Sequence, residues 1–181
     1  MANKIKYGLK NVHYAVYNSG TSTYGTPVAI PGAVNLSLSP VGEINSFVAD
    51  DIEYFTSHGN NGYDGTVEIA LVPLTFKTDC IGSVIDGNGL IFEDPTAQPE
   101  QFALLFEFTG DDKAIKHVLY NCKATRGNID ASATTNKEIK TETLNIMARP
   151  DANNRVKART LATSDSTVVT NWYTTVHTFT A

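Results

Sequence analysis

Residues 62–85 read GYDGTVEIALVPLTFKTDCIGSVI, and within them a two-residue period gives way to something close to a helical one. Val67, Ile69 and Leu71 alternate with Glu68 and Ala70, the pattern of a strand with one buried face. Val72 closes that strand. Pro73 then ends the ladder, because it has no amide hydrogen to donate, and its fixed φ suits the first turn of a helix. Beyond it Phe76, Cys80, Ile81 and Val84 recur at spacings of three and four, with Lys77, Thr78 and Asp79 on the other side. The spacing predicts a short helix lying on a sheet. Asp86-Gly87-Asn88-Gly89 is expected to stop it, and Leu90-Ile91-Phe92 to begin another extended run.

Outward from this unit the chain reads as mainly β. Residues 101–109 (QFALLFEFT) set Phe102, Leu104, Phe106 and Phe108 on one face and Ala103, Leu105 and Glu107 on the other. Gly110-Asp111-Asp112 turns the chain, and residues 113–124 (KAIKHVLYNCKA) return as the antiparallel partner. Upstream, residues 11–17 alternate with Val12, Tyr14 and Val16 together, and residues 33–39 with Val34, Leu36 and Leu38 together. Residues 1–9 read as an arm or a first strand, and 18–27 as a loop. Residues 137–148 predict a strand with Leu144 and Ile146 on one face and Ile139 and Met147 on the other. Arg126 to Asn136 reads as a loop, and VKARTL (156–161) as a last short strand. Val169, Trp172, Tyr173 and Val176 follow Ser164, Asp165 and Ser166, any of which can cap, so a short C-terminal helix is expected, with an extended tail as the alternative.

Between Pro40 and Asn61 the apolar residues Ile44, Phe47, Val48, Ile52, Tyr54 and Phe55 are set among Glu43, Asp50, Asp51 and Glu53. This interval reads as a strand with a protruding, partly apolar hairpin. It is either a surface loop packed on its own domain or a surface that meets another subunit.

At 181 residues the chain is expected to be one domain, 1–181. A formal net charge of -5 with no basic cluster argues against binding nucleic acid through phosphate neutralisation. Cys80 and Cys122 lack the close spacing of zinc or redox motifs and read as buried thiols. The segment MANKIKYGLK has no apolar h-region and no stretch has the apolar length of a membrane span, so a soluble cytoplasmic product is expected.

Catalytic chemistry finds poor candidates. His13, His58, His117 and His177 are far apart, and none forms a metal-ligand pair. His13 and His117 read as hydrogen-bonded sheet histidines; His58, beside Ser57, is the one in a plausible loop site. Asp86-Gly87-Asn88-Gly89 is half of a calcium loop at most, since Leu90 takes the next alternate position. Asp50 and Asp51, adjacent on a strand, would face opposite ways and make no acid/base dyad. No phosphate-binding glycine motif is present. The expectation is no enzyme activity, no catalytic residue, no metal and no cofactor.

Six stretches taken together resemble the major tail proteins, or tail tube proteins, of long noncontractile-tailed phages of Gram-positive bacteria. They are GLKNVHYA (8–15), ADDIEYF (49–55), NNGYDGTVEIALVP (60–73), FALLFEFTG (102–110), HVLYNC (117–122) and ETLNI (142–146). The resemblance covers nearly the whole chain in order; 126–136 and the C-terminal link match less well. It implies a two-sheet sandwich or partial barrel with one flanking α-helix, similar to the type VI secretion tube protein. It also implies a structural virion protein of a phage or prophage tail whose hexameric rings stack into a tube for DNA ejection. Partners would be other copies and the tape measure, tail terminator and distal tail proteins. DNA would pass without specific binding and no membrane is involved; the location would be the virion tail, and the host cytoplasm during assembly. DNA must not stick, so a lumen that carries negative charge or lacks Lys and Arg is expected, with Glu68, Glu107 and Glu142 as lumen-facing candidates. Phe47, Ile52, Tyr54 and Phe55 are the candidates for contact between stacked rings. The alternative is a monomeric β-sandwich binding module for carbohydrate or a cell-surface ligand, which would display aromatics on a flat face, whereas Tyr and Phe here mostly alternate inward.

Overall fold

A strand that is apolar on both faces must be covered on both, and this is the case for residues 102–108, where Phe102 through Phe106 are each at most 2% exposed. The computed structural model of the chain describes residues 4–110, 112–129 and 139–179. Its strands, in chain order, are β1 (Leu9–Asn18), β2 (Thr23–Tyr24), β3 (Val28–Ala29), β4 (Ala33–Val41), β5 (Ile44–Ala49), β6 (Ile52–His58), β7 (Gly62–Ile69), β8 (Val84–Ile85), β9 (Ile91–Phe92), β10 (Phe102–Phe108), β11 (Ile115–Thr125), β12 (Glu142–Ala148) and β13 (Lys157–Arg159). Two short helices are α1 (Leu74–Phe76) and α2 (Ser166–Thr170). Among the described residues nine strands join in one sheet, along the path β2-β1-β10-β11-β12-β7-β4, with β3 on β1 and β13 on β11; β5–β6 and β8–β9 are separate hairpins. All the pairings are antiparallel.

The sheet bends so that β4 comes back against β1, which makes one continuous sheet supply both walls of a partial barrel. Its concave face holds Tyr14, Val67, Ile69, Leu104, Leu119, Leu144 and Ile146, closed over by Phe76, Cys80 and Ile81. Tyr14 meets Phe76 edge-on at 5.0 Å and Phe76 meets Phe102 at 5.4 Å, each such pair adding about 1 kcal/mol beyond its burial. The convex face divides in two. Over β1, β10 and the first half of β11, Ala15, Ala103, Leu105, Val118 and Tyr120 pack under Trp172 and Val176. The rest, over β12, β7 and β4, carries no covering element among the described residues.

The expected helix is shorter and wider than its spacing suggested. After α1 the chain makes a π turn over Lys77–Ile81, with the Gly82 amide donating to the Lys77 carbonyl. A five-residue bond suits the set Phe76, Cys80 and Ile81, all buried, where an α-helix would have pulled Val84 inward instead. Gly82, at φ 83°, ends the turn, and Val84 lies in β8, 60% exposed. Residues 86–89 are accordingly the turn of the β8–β9 hairpin: Asp86 Oδ1 accepts from the amides of Asn88 at 2.9 Å and Leu90 at 2.8 Å. Two strand readings also shift at their ends. A bulge between Ala33 and Asn35 turns Val34 outward, and β7 stops at Ile69, so Leu71 is exposed and Val72 buried. The strand expected from 137 is seen over Glu142–Ala148, and residues 130–136 of the expected loop lie outside the described residues.

The C-terminal helix is α2, capped by Asp165, whose carboxylate accepts from the Thr167 amide at 2.7 Å. It is brief, and Trp172 and Val176 lie beyond it. What anchors this segment is Tyr173: its hydroxyl donates to Glu107 Oε2 at 3.0 Å and its ring stacks on His13 at 4.5 Å. Burial, then the Glu107 charge, raises the Tyr173 pKa. Tyr173→Phe would leave a buried carboxylate oxygen short of a donor, and we expect a loss of about 1–3 kcal/mol. This would be read as a lower urea midpoint at unchanged slope.

Candidate assembly surfaces

In hairpin β5–β6 the chain is exposed along nearly its whole length. Asp50 and Asp51 are not strand residues but form its two-residue turn, at φ 55° and 58° between the paired Ala49 and Ile52. Both central residues thus lie in the left-handed region, as a type I′ turn requires. Behind the turn Phe47, Ile52, Tyr54 and Phe55 are 60%, 61%, 72% and 63% exposed. A two-stranded ribbon has no core of its own, and among the described residues these side chains have little to pack on. The four candidates for contact between rings therefore sit on one element.

The uncovered half of the convex face is a band of short polar side chains. Register sets Asn35, Glu68 and Thr143 in one row, Ser37, Thr66 and Asn145 in the next, and Ser39, Asp64 and Met147 in a third. Lys123, opposite Met147, extends the third row. Of the three candidate lumen acids, the sheet brings Glu68 alone to this face, where it accepts from the Thr141 hydroxyl at 2.6 Å. The other two acids lie elsewhere on the sheet. Glu107 is on the covered half, 9% exposed, its second oxygen accepting from Asn11 Nδ2 at 2.8 Å. Glu142 shares the pleat of Leu144 and Ile146 and so faces the concave side, accepting from the Val72 amide at 3.0 Å and pairing with Lys77 at 3.4 Å. Nor is the band acidic throughout: Asp64 is bound by Arg149, and Lys123 adds a cation.

β4 ends the sheet path, and among the described residues it pairs with β7 alone. Pro40 fits there because an edge strand can spare one donor.

The concave face has an open mouth that the sequence did not disclose. A cavity of about 450 Å³ lies where β4 and β7 face β10, β11 and β13. Phe106 opposes His117, which opposes Arg159, and Leu119 opposes Lys157. His117 is 8% exposed, stacked on Phe106 at 5.1 Å and 4°, and its Nδ1 has no hydrogen-bond partner among the described residues. This differs from the hydrogen-bonded sheet histidine expected; His13 fits it better, with Nδ1 2.8 Å from the Asn11 carbonyl. Burial first, then Lys157, Arg159 and Lys6, pushes the His117 pKa down to about 4. The unfolded chain thus takes up this proton at higher pH than the folded one. The His117 contribution is full above about pH 6.5, declines as the pH falls, and is wholly lost below about pH 4. We expect a loss on the order of 1–2 kcal/mol across that window after allowing for solvent screening. His117→Gln should flatten that part of the stability-against-pH curve.

Neither thiol offers reactivity. Cys80 and Cys122 are free and buried, and burial raises both pKa values, that of Cys122 to about 12. No cluster of metal-ligating side chains occurs among the described residues, and no helix there is long and apolar enough to cross a membrane.

No family model and no curated protein matches this sequence. Among solved structures the chain is similar to the tube-terminating cap of the anti-feeding prophage, at 12% identity and a TM-score of 0.49, covering 90% of this chain and 95% of that one. It is also similar to a chain of the sheath/tube terminator of an extracellular contractile injection system (PVC), at 11% identity and 0.45 over 83% and 94%. A chain of the sheath-tube complex of that system gives 12% and 0.47 over 88% and 94%. These are likenesses of fold.

Proposed function

We propose that this chain is a structural subunit of a phage tail, which closes into hexameric rings that stack as a tail tube and conduct DNA without binding it. The observation that carries this reading is the β5–β6 hairpin, an element that stands off the body with four large apolar side chains more than half exposed. Exposure on that scale in a soluble protein marks a surface meant for a partner. The resemblance of six ordered stretches to tail tube proteins gives the partner as further copies of the same chain.

Two other features agree. The open edge of β4 is a row of backbone groups that a neighbour's strand can complete, and ring closure would remove the edge altogether. The uncovered band is built mainly of hydroxyl and amide side chains; its arginine is held by Asp64, which leaves Lys123 against the acid Glu68. Lining a lumen with such a band would give passing phosphates little to bind. Glu68 is the acid we place on the lumen wall, and Phe47, Ile52, Tyr54 and Phe55 are placed between rings. The tape measure, tail terminator and distal tail proteins would be the remaining partners, in a virion tail assembled in the host cytoplasm.

Electron microscopy of the purified protein over a concentration series tests the reading. Hollow rings or tubes are expected; particles that remain single at every concentration would overturn it.

A further inference from the structure

We propose that the cavity at the mouth of the concave face is the receptor for the β5–β6 hairpin of a second copy of this chain, Asp50 and Asp51 entering among Lys6, Lys157 and Arg159. The inference rests on the self-association reading above and adds the surface that receives the hairpin. Its first support is charge. Residues 42–59 contain Glu43, Asp50, Asp51 and Glu53 and neither Lys nor Arg, whereas among the described residues the cavity is lined by three cations and no carboxylate. Lys6 lies 5.3 Å over Phe108 and Lys157 4.8 Å over Tyr63, and none of the three cations forms an ion pair with a described residue.

The second support is apolar match. The hairpin presents aromatic and aliphatic side chains that are more than half exposed, and the cavity has Phe106 and Phe108 on its floor and Leu36 and Leu38 on the facing wall. About 450 Å³ is within the range that takes a compact ligand or a few side chains. The third is His117, more than nine-tenths buried on the cavity wall with a ring nitrogen unpartnered. A buried polar atom without a partner is costly unless something supplies one. A polar group of an entering hairpin would do so.

Reversing charge on one surface at a time tests the docking. Lys157→Glu with Arg159→Glu makes a copy whose cavity repels its own hairpin, and Asp50→Lys with Asp51→Lys makes a copy whose hairpin is repelled. All four positions are exposed, so neither change removes a buried contact; because lysine is strained at the positive φ of Asp50 and Asp51, Asp50→Asn with Asp51→Asn, which such a turn tolerates, is measured beside it and should weaken association in the same direction. Sedimentation velocity should show each variant associating at least tenfold more weakly than the unaltered protein, and an equimolar mixture recovering association through the two matched pairings. Association of each variant alone at the unaltered strength, or no recovery in the mixture, overturns the docking. Microscopy of the same samples reads the tube separately. Tubes indifferent to both reversals leave the tube reading intact and remove this one, while recovery in the mixture without any hollow assembly keeps the docking and removes the tube.

Discussion

Replacing Tyr54 and Phe55 together by serine is expected to leave a folded, soluble subunit that no longer builds long tubes. The two side chains are 72% and 63% exposed and touch neither buried cluster, so their loss removes nothing from the core. Thermal unfolding should therefore move little. With the hairpin as the proposed contact between rings, each such contact loses two aromatic side chains at once. Burying one such side chain is worth about 1.5–3 kcal/mol, so about 3–6 kcal/mol per contact is at stake. Tenfold in affinity costs about 1.4 kcal/mol, so the concentration at which assemblies appear should rise at least about 100-fold. Pelleting and electron microscopy measure this, with circular dichroism as the check on folding. Tubes of ordinary length from the double variant would show that the hairpin is not the contact between rings.

What the sequence made legible follows from what periodicity can encode. The FALLFEF strand and its return were readable because a turn at Gly110 separates two long runs of apolar residues, and pairing in sequence is pairing in space here. Face assignment within a strand is readable too: parity with Leu144 and Ile146 puts Glu142 on the concave side. Parity does not say which half of a face is covered. Glu107 is buried because Tyr173, 66 residues away, donates to it, and no local pattern announces that. The π turn was missed because Phe76, Cys80 and Ile81 fit a 3.6-residue period almost as well as a wider one, and only Gly82 discriminates. Val34 and Leu71 were misplaced because alternation assumes an unbroken ladder, whereas a bulge and a strand end each reset it. The cavity was invisible for a different reason. Phe106, His117 and Arg159 form a row across three strands, and cross-strand register is set by turns and bulges that no single segment carries.

The same register predicts where the fold is least forgiving. Gly65 sits in β7 between Leu38 of β4 and Ile146 of β12, and a Cβ built on it would lie 1.9 Å from the Ser37 carbonyl oxygen and 2.8 Å from the Leu38 Cα. Those are backbone atoms, so no rotamer change relieves the clash. β4 would have to move away from β7, giving up ladder hydrogen bonds and uncovering Val67 and Ile146, both about 1% exposed. Gly65→Val should accordingly cost about 4 kcal/mol or more, in the range reached by overpacking joined to broken pairing. The damage should also be directional. β4 is the end of the sheet and carries Leu36 and Leu38 to the cavity wall, so detaching it would spoil the open edge and the mouth together while leaving the β10–β11 hairpin paired. Hydrogen exchange should show residues 33–41 and 62–69 losing protection well before residues 102–108. Uniform loss across all three, or a melting temperature within a degree of the unaltered protein, would mean that β4 can step back from β7 more freely than this packing allows.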